Sequence, residues 1–197
     1  MNNITTNPFI SIVIPLYNKE KFIARTLESV LAQTFKNFEV LIVNDGSTDS
    51  SVEVAKKYID DRFRIINQKN SGVSAARNKG IKLARAKYIA FLDADDTWEP
   101  NFLSEIQRLI KKYPQAGLYG TGYRKINELN KIEKIVRLSK KFTSNTSAPL
   151  SEGVGINTGE RNSVKSRFCN AFLKFCNISA CTLKINCFLI LRILNGL

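Results

Sequence analysis

Residues 9–50 read FISIVIPLYNKEKFIARTLESVLAQTFKNFEVLIVNDGSTDS, and this stretch decides the fold. Phe9 to Tyr17 is almost continuously apolar and β-branched, the composition of a buried strand, and it ends at Pro15. From Lys19 the period changes: Ile23, Leu27, Val30 and Leu31 recur at i, i+4, i+7 and i+8, which is one face of a helix. Phe38 to Val43 is a second β-rich apolar run, stopped by the turn formers Asn44-Asp45-Gly46-Ser47. Strand, helix, strand is the unit of an alternating β/α chain.

The pattern repeats further along. Thr48 or Asp49 caps a helix that places Val52, Ala55 and Ile59 on one face. A short strand at Phe63–Ile66 precedes a break at Asn70-Ser71-Gly72, and a helix follows over Val73–Ala84 with Gly80 as its weak point. Tyr88–Leu92 is a fourth apolar run, ended abruptly by Asp93-Ala94-Asp95-Asp96. Glu99-Pro100 opens a helix with Phe102, Ile106, Leu109 and Ile110 on its apolar face. About four alternations within residues 1–112 predict an α/β fold with a mostly parallel central sheet and helices on both faces. Such sheets bind ligands beyond the carboxyl ends of their strands. The polar clusters at 15–20, 44–49 and 93–96 each follow a strand.

Residues 113–197 form the second part of the chain. Leu118–Ile126 and Ile132–Leu138 alternate loosely around Asn127-Glu128-Leu129-Asn130 and predict a hairpin. Residues 139–167 are rich in Ser, Thr, Asn, Lys and Gly, the composition of a flexible loop or lid. The remainder has no defined pattern.

Composition narrows the chemistry. The 197 residues contain no histidine, which excludes Ser/His/Asp triads and histidine metal ligands and leaves acid–base work to carboxylates, Lys, Tyr or Cys. Cys169, Cys176, Cys181 and Cys187 form no C-x-x-C pair, so they read as reduced thiols used as small apolar groups, with a disulfide framework as the alternative. No basic stretch precedes a long apolar run, and no segment reaches the ~20 apolar residues of a membrane span. The expectation is a cytoplasmic chain. Its net charge of +13 is uneven: residues 1–100 carry 14 Lys+Arg against 12 Asp+Glu, and residues 101–197 carry 16 against 5. The basic half suits an anionic partner such as nucleic acid, a membrane surface or a phosphate-bearing substrate, or is a solvated surface. No nucleic-acid-binding signature accompanies the charge, so no nucleic acid is expected. G-x-x-x-x-G-K-[ST] is missing, and Gly120 and Gly122 do not extend to G-x-G-x-x-G, which excludes P-loop and dinucleotide sites.

Four clusters carry chemistry. In Asp93-Ala94-Asp95-Asp96, two carboxylates one residue apart can share a hard divalent cation with a phosphate-bearing ligand, or the cluster is a solvated helix-capping turn. In Asn44 to Asp49, Asp45 can accept from the N–H of a base while Gly46 lets backbone approach, although a turn with a helix cap is the simpler reading. In Pro15 to Glu20, Tyr17 can stack on a base, or the segment is an ordinary strand-end turn. In Ser71 to Asn78, Arg77 can meet a phosphate or base carbonyl, or it is an exposed helix residue.

The order and spacing of these clusters resemble the family-two glycosyltransferases of the GT-A (Rossmann-like) fold. The resemblance runs from about Ile10 to Phe102 and rests on SIVIPLYNKEKFIARTLESVLAQTF, FEVLIVNDGSTDSS, NSGVSAARNKGI and YIAFLDADDTWEPNFL, in the family's order. It implies an enzyme that moves a sugar from a nucleoside-diphosphate sugar, a UDP-sugar, to a glycan or lipid-linked acceptor in surface polysaccharide synthesis. It also implies that Pro15, Tyr17 and Glu20 line the nucleotide site, that Asp45 reads the uracil and that Arg77 lies beside the nucleotide. Asp93 and Ala94 lie on the ribose side, and Asp95 ligates Mn²⁺ or Mg²⁺ across the diphosphate. Peripheral contact of the basic half with the inner face of a membrane fits such an acceptor.

One feature of the family is missing. Inverting members use a later carboxylate, often in a Glu-Asp pair, as the base that deprotonates the acceptor. No aspartate follows Asp96, and beyond Glu133 the only acids are Glu152 and Glu160, without that pair. Ile178 to Leu197 resembles the segment that precedes it. The expectation is a shortened member that keeps donor binding and is impaired in transfer.

Overall fold

The computed structural model of the chain describes residues 7–121, 123–127, 132–136 and 189–192. It divides into two compact units, Met1–Glu105 with Ile193–Leu197 and Ile106–Arg192. The segment 139–167, the four cysteines and most of Ile178–Leu197 lie outside the described residues.

The first unit has the element order β1 (Ile10–Leu16), α1 (Ile23–Leu31), β2 (Phe38–Asp45), α2 (Ser51–Lys56), β3 (Phe63–Gln68), α3 (Val73–Leu83) and β4 (Tyr88–Phe91). Its strands lie in the order β3-β2-β1-β4, and every pairing is parallel, with Ile10 opposite Phe38 and Tyr88, and Val40 opposite Phe63. Every residue of β1 and β2 is buried, which is why both read as unbroken apolar runs rather than alternating ones. Each such Ile, Leu or Val contributes roughly 1.5–3 kcal/mol by leaving water.

Pro15 lies inside β1, not at its end. The Val13 carbonyl accepts from the Leu92 N–H at 3.1 Å, and residues two apart on a strand face the same neighbour. The Pro15 nitrogen therefore faces the side of β4 beyond Phe91, its last paired residue, where no ladder donor is needed.

On α1, Ile23, Leu27 and Val30 are buried as the period predicts, while Leu31 is half-buried. Thr26 shares the buried face, and Gln33, just beyond the helix, is also buried, its Nε2 donating to the Glu99 carbonyl at 2.8 Å and its Oε1 accepting from the Leu103 N–H at 2.9 Å. α2 stops at Lys56, so Ile59 lies beyond it and is exposed, and only Ala55 of the expected face is fully buried. α3 packs on β1 and β2. Gly80 is the point of contact: a Cβ there would run into Val13 Cγ1, so this glycine permits helix–strand approach.

The amino ends of the strands are joined through Glu39, which is 1 % exposed. Its Oε1 accepts from Ser11 Oγ at 2.6 Å and the Arg85 N–H at 2.7 Å, and its Oε2 accepts from Arg85 Nε at 2.9 Å and Arg64 Nη2 at 3.0 Å. Ser11 Oγ in turn accepts from the Ala86 N–H at 3.0 Å. Burial raises the Glu39 carboxyl, but the hydrogen bonds from Ser11 and Arg85 and the Arg85 charge outweigh it and hold the group below its ordinary value.

α4 (Phe102–Lys112) follows, starting two residues after Pro100. In the second unit, β5 (Leu118–Gly120) pairs antiparallel with β8 (Leu189–Arg192), and β6 (Tyr123–Asn127) pairs antiparallel with β7 (Ile132–Val136). The expected hairpin is thus β6–β7, and the residues expected as its first strand divide into β5 and β6. No helix among the described residues is long and apolar enough to cross a membrane.

Candidate functional site

The strand order 3-2-1-4 means that the chain leaves β1 toward β2 and β3, then returns to the other side of β1 for β4. This is a topological switch point, and in parallel sheets ligands bind at such points, beyond the carboxyl ends of the strands. The four chemical clusters follow β1, β2, β3 and β4, so all of them arrive at that end.

Direct contacts close these clusters into a ring. Asn18 joins the turn after β1 to the turn after β2: its N–H donates to Ser47 Oγ at 3.2 Å, and its Oδ1 accepts from the Thr48 N–H at 2.9 Å. Asn18 takes the left-handed conformation (φ 49°), which Asn tolerates better than most residues and which lets both contacts form. The Lys19 N–H donates to Ser51 Oγ at 2.6 Å, and Glu20 Oε2 accepts from the Ser50 N–H at 3.0 Å. Glu20 is thereby committed to the entry of α2. The N-cap of that helix is Ser50, not the expected Thr48 or Asp49, and its side chain makes no capping bond; Asp49, one residue earlier, accepts from the Ser51 N–H at 3.0 Å on Oδ1 and from the Glu20 N–H at 3.1 Å on Oδ2. Burial raises the Asp49 carboxyl, and the Ser51 and Glu20 bonds together outweigh it and lower the group.

Asp45 links β2 to the β3–α3 turn. Its Oδ1 accepts from Gln68 Nε2 at 2.7 Å and the Ser71 N–H at 2.9 Å, and its Oδ2 accepts from the Gly72 N–H at 2.8 Å. A carboxylate has about four acceptor positions, so three are filled and one on Oδ2 is left for a ligand donor. Gly46 sits at φ +73°, and a Cβ there would stand 2.9 Å from the Asn70 nitrogen, so both conformation and space require glycine.

Arg77 on α3 closes the ring to the turn after β4, with Nη2 2.6 Å from Asp93 Oδ1. Asp95 completes it to the turn after β1, its Oδ2 2.8 Å from Lys19 Nζ. Ala94 between them is buried; its carbonyl lies 2.9 Å and the Asp96 carbonyl 2.8 Å from Thr26 Oγ1, whose single proton the two carbonyls share. Arg25 Nη2 donates to the Asp95 carbonyl at 3.0 Å. Tyr17 stands at the rim, 46 % exposed, while Pro15 is buried in β1.

Lys19, Asn18, Thr26 and Gln68 belong to the site but are not singled out by the sequence. Thr26 alone had a signal, since it is a polar residue adjoining Leu27 on an apolar helical face. Asn18 and Lys19 lie inside the Pro15–Glu20 cluster but have no role of their own there, and Gln68 is recognisable only once the turns meet.

The donor set suits a hard divalent cation. Asp93 and Asp95 offer carboxylate oxygens on side chains 40 % and 35 % exposed. Among the described residues no group of three or more His, Cys, Asp or Glu side chains could hold a metal ion unaided. Such a cation would take one or two protein carboxylates and draw its other ligands from substrate phosphates and water, the usual habit of Mg²⁺.

Residues 11–170 match the family described as Glycosyl transferase family 2, and the chain belongs to that family. It is 46 % identical over 103 residues to the putative glycosyltransferase EpsH of Bacillus subtilis, a match covering 51 % of this chain and 30 % of EpsH. It is 39 % identical over 121 residues to the glycosyltransferase GlyA of Streptococcus pneumoniae, covering 60 % of this chain and 17 % of GlyA. These matches therefore span less than a third of either relative. Among solved structures, S. aureus TarS 1–349 in complex with UDP-GlcNAc superposes with a TM-score of 0.54 at 30 % identity, over 56 % of this chain and 33 % of TarS 1–349. The mannosyltransferase PcManGT of Pyrobaculum calidifontis, in complex with GDP-Man and Mn²⁺, shares the fold with a TM-score of 0.52 at 20 % identity, over 59 % of this chain and 36 % of PcManGT.

Proposed function

We propose that the chain binds a UDP-sugar within the ring of turns at the carboxyl ends of the strands, as the donor side of a glycosyltransferase. The enzyme transfers the sugar to a glycan or lipid-linked acceptor of a surface polysaccharide. The observation that carries this reading is the closed ring itself: Asn18–Thr48, Asp45–Gly72, Arg77–Asp93 and Lys19–Asp95 bring four separated motifs together at one end of the sheet. The relative bound to UDP-GlcNAc supports the choice of nucleotide.

Each residue then has a role. Tyr17 stacks on the base, and the open position on Asp45 Oδ2 accepts the uracil N–H. Pro15 and Glu20 shape the base side, the first through β1 and the second by fixing the entry of α2. Arg77 and Asp93 face the nucleotide and its ribose, with Ala94 as the buried spacer beneath. Asp95 ligates Mn²⁺ or Mg²⁺, and the cation supplies charge neutralisation to the departing nucleoside diphosphate. The basic second half suits peripheral contact with an anionic membrane at its inner face, where a lipid-linked acceptor would lie.

Titrating UDP, GDP and ADP in the presence of Mn²⁺ tests donor choice. The expected result is preference for UDP, reduced about tenfold in Asp45→Asn, the scale of one charge-assisted hydrogen bond. Equal binding of all three would remove the base-reading role. Release of UDP from UDP-sugars on adding acceptor lipid tests the transfer step.

A further inference from the structure

We propose that Lys19 is a displaceable counter-ion of Asp95 that competes with a divalent cation for the carboxylate. This rests on the donor-site reading above and adds a residue to it that opposes cation binding before the nucleotide arrives.

The geometry is built, not incidental. The Lys19 main chain is held on both sides, its N–H on Ser51 Oγ at 2.6 Å and its carbonyl accepting from the Phe22 and Ile23 N–H groups at 2.9 Å each. The side chain then runs past the Phe22 ring, with Nζ 5.8 Å from the ring centroid, and ends 2.8 Å from Asp95 Oδ2. An ammonium in hydrogen-bond contact occupies a lone pair of that oxygen and repels a second cation at the same place. Arg25, also over the Phe22 ring, donates from Nη2 to the Asp95 carbonyl at 3.0 Å.

A diphosphate changes the balance. It offers Lys19 a more highly charged partner than Asp95 and offers the cation additional oxygens. Lys19 can then move from the carboxylate to a phosphate oxygen while the cation takes its place, so cation and donor bind together better than either alone. By linkage the enhancement is the same in both directions.

The test measures Mn²⁺ binding by water-proton relaxation, without and with UDP, in the wild type, Lys19→Met, Lys19→Arg and Asp95→Asn, each verified as folded by circular dichroism. Lys19→Met removes the charge and keeps the stem. It is expected to bind Mn²⁺ alone about two- to five-fold tighter than wild type, the scale of a partly exposed ion pair. It is also expected to show a smaller enhancement by UDP, while Lys19→Arg, which keeps the charge, stays close to wild type. Lys19→Met binding Mn²⁺ alone no tighter than wild type, or Lys19→Arg gaining as much as Lys19→Met, overturns the counter-ion role. If wild type still binds Mn²⁺ with UDP in a manner that needs Asp95, the donor-site reading survives that outcome. Mn²⁺ binding to none of the proteins in the presence of UDP overturns both.

Discussion

Replacing Glu39 by Gln tests how the amino ends of the strands are held, independently of the ligand end. The carboxylate receives four hydrogen bonds, two on each oxygen. Gln keeps one oxygen and places an NH₂ where the other stood. If the NH₂ faces Arg64 and Arg85, two charge-assisted bonds are lost; if it faces Ser11 and the Arg85 N–H, a backbone donor is left opposed by a donor. Charge-assisted bonds contribute about 1.5–3 kcal/mol each. The Arg64 and Arg85 side chains are 41 % and 56 % exposed and can rehydrate, which lowers the total to about 2–4 kcal/mol. At ~2 kcal/mol/M in urea, the unfolding midpoint should fall by about 1–2 M.

The pH dependence supplies a sign. The folded Glu39 carboxyl lies below its ordinary value of 4.5, so its stabilisation is fully present above that pH and is lost as pH falls through the lowered value. The wild type should therefore lose stability below pH 4.5 more steeply than Glu39→Gln, and the two curves should converge. A variant as stable as wild type at pH 7, or an acid limb of the same slope in both, would refute the reasoning. UDP binding by the folded variant should be unchanged, because Glu39 lies at the opposite end of β2 from Asp45.

Three further substitutions have expected outcomes. Gly46→Ala combines a left-handed φ with a Cβ 2.9 Å from the Asn70 nitrogen, and should cost about 1–3 kcal/mol in urea unfolding and weaken UDP binding as the Asp45 turn shifts. Gly80→Ala gains roughly 1 kcal/mol of helix propensity but forces a methyl group into Val13, and net destabilisation of about 1–2 kcal/mol is expected by thermal melting, with UDP affinity retained in the folded fraction. Thr26→Val removes the hydroxyl proton shared by the Ala94 and Asp96 carbonyls, and should cost about 1–2 kcal/mol while loosening Mn²⁺ binding through the Asp95 turn, measured by proton relaxation.

What the sequence discloses follows from burial. β1, β2 and β4 are buried throughout, so their apolar runs mark them, and the turn formers after β2 and β4 mark where the site begins. The periods of α1 and α4 fail only at their margins, as at half-buried Leu31. α2 is too short for its period to predict its end, which left Ile59 on the wrong side of a boundary. Gly80 shows the limit of local propensity: alone it weakens a helix, and only the strand beneath it explains its presence. The candidate site was legible as four motifs but not as a ring, because Lys19 and Asp95 are separated by β2, β3 and β4 in the chain and meet only at the switch point. The single strand expected before the hairpin turn divides into β5 and β6, and β5 takes as its partner β8, about seventy residues later, a pairing that no local pattern encodes.

The central claim is that the ring of turns binds a nucleoside diphosphate through a cation held by Asp95. Calorimetric titration of the folded protein with UDP, in Mn²⁺ and then in EDTA, beside Asp95→Asn, tests it most directly. The account predicts heat of binding in wild type with Mn²⁺ and its loss, or reduction by at least about tenfold, both in EDTA and in the variant. Binding of UDP that ignores both the chelator and the substitution, or no binding under any condition, would contradict it.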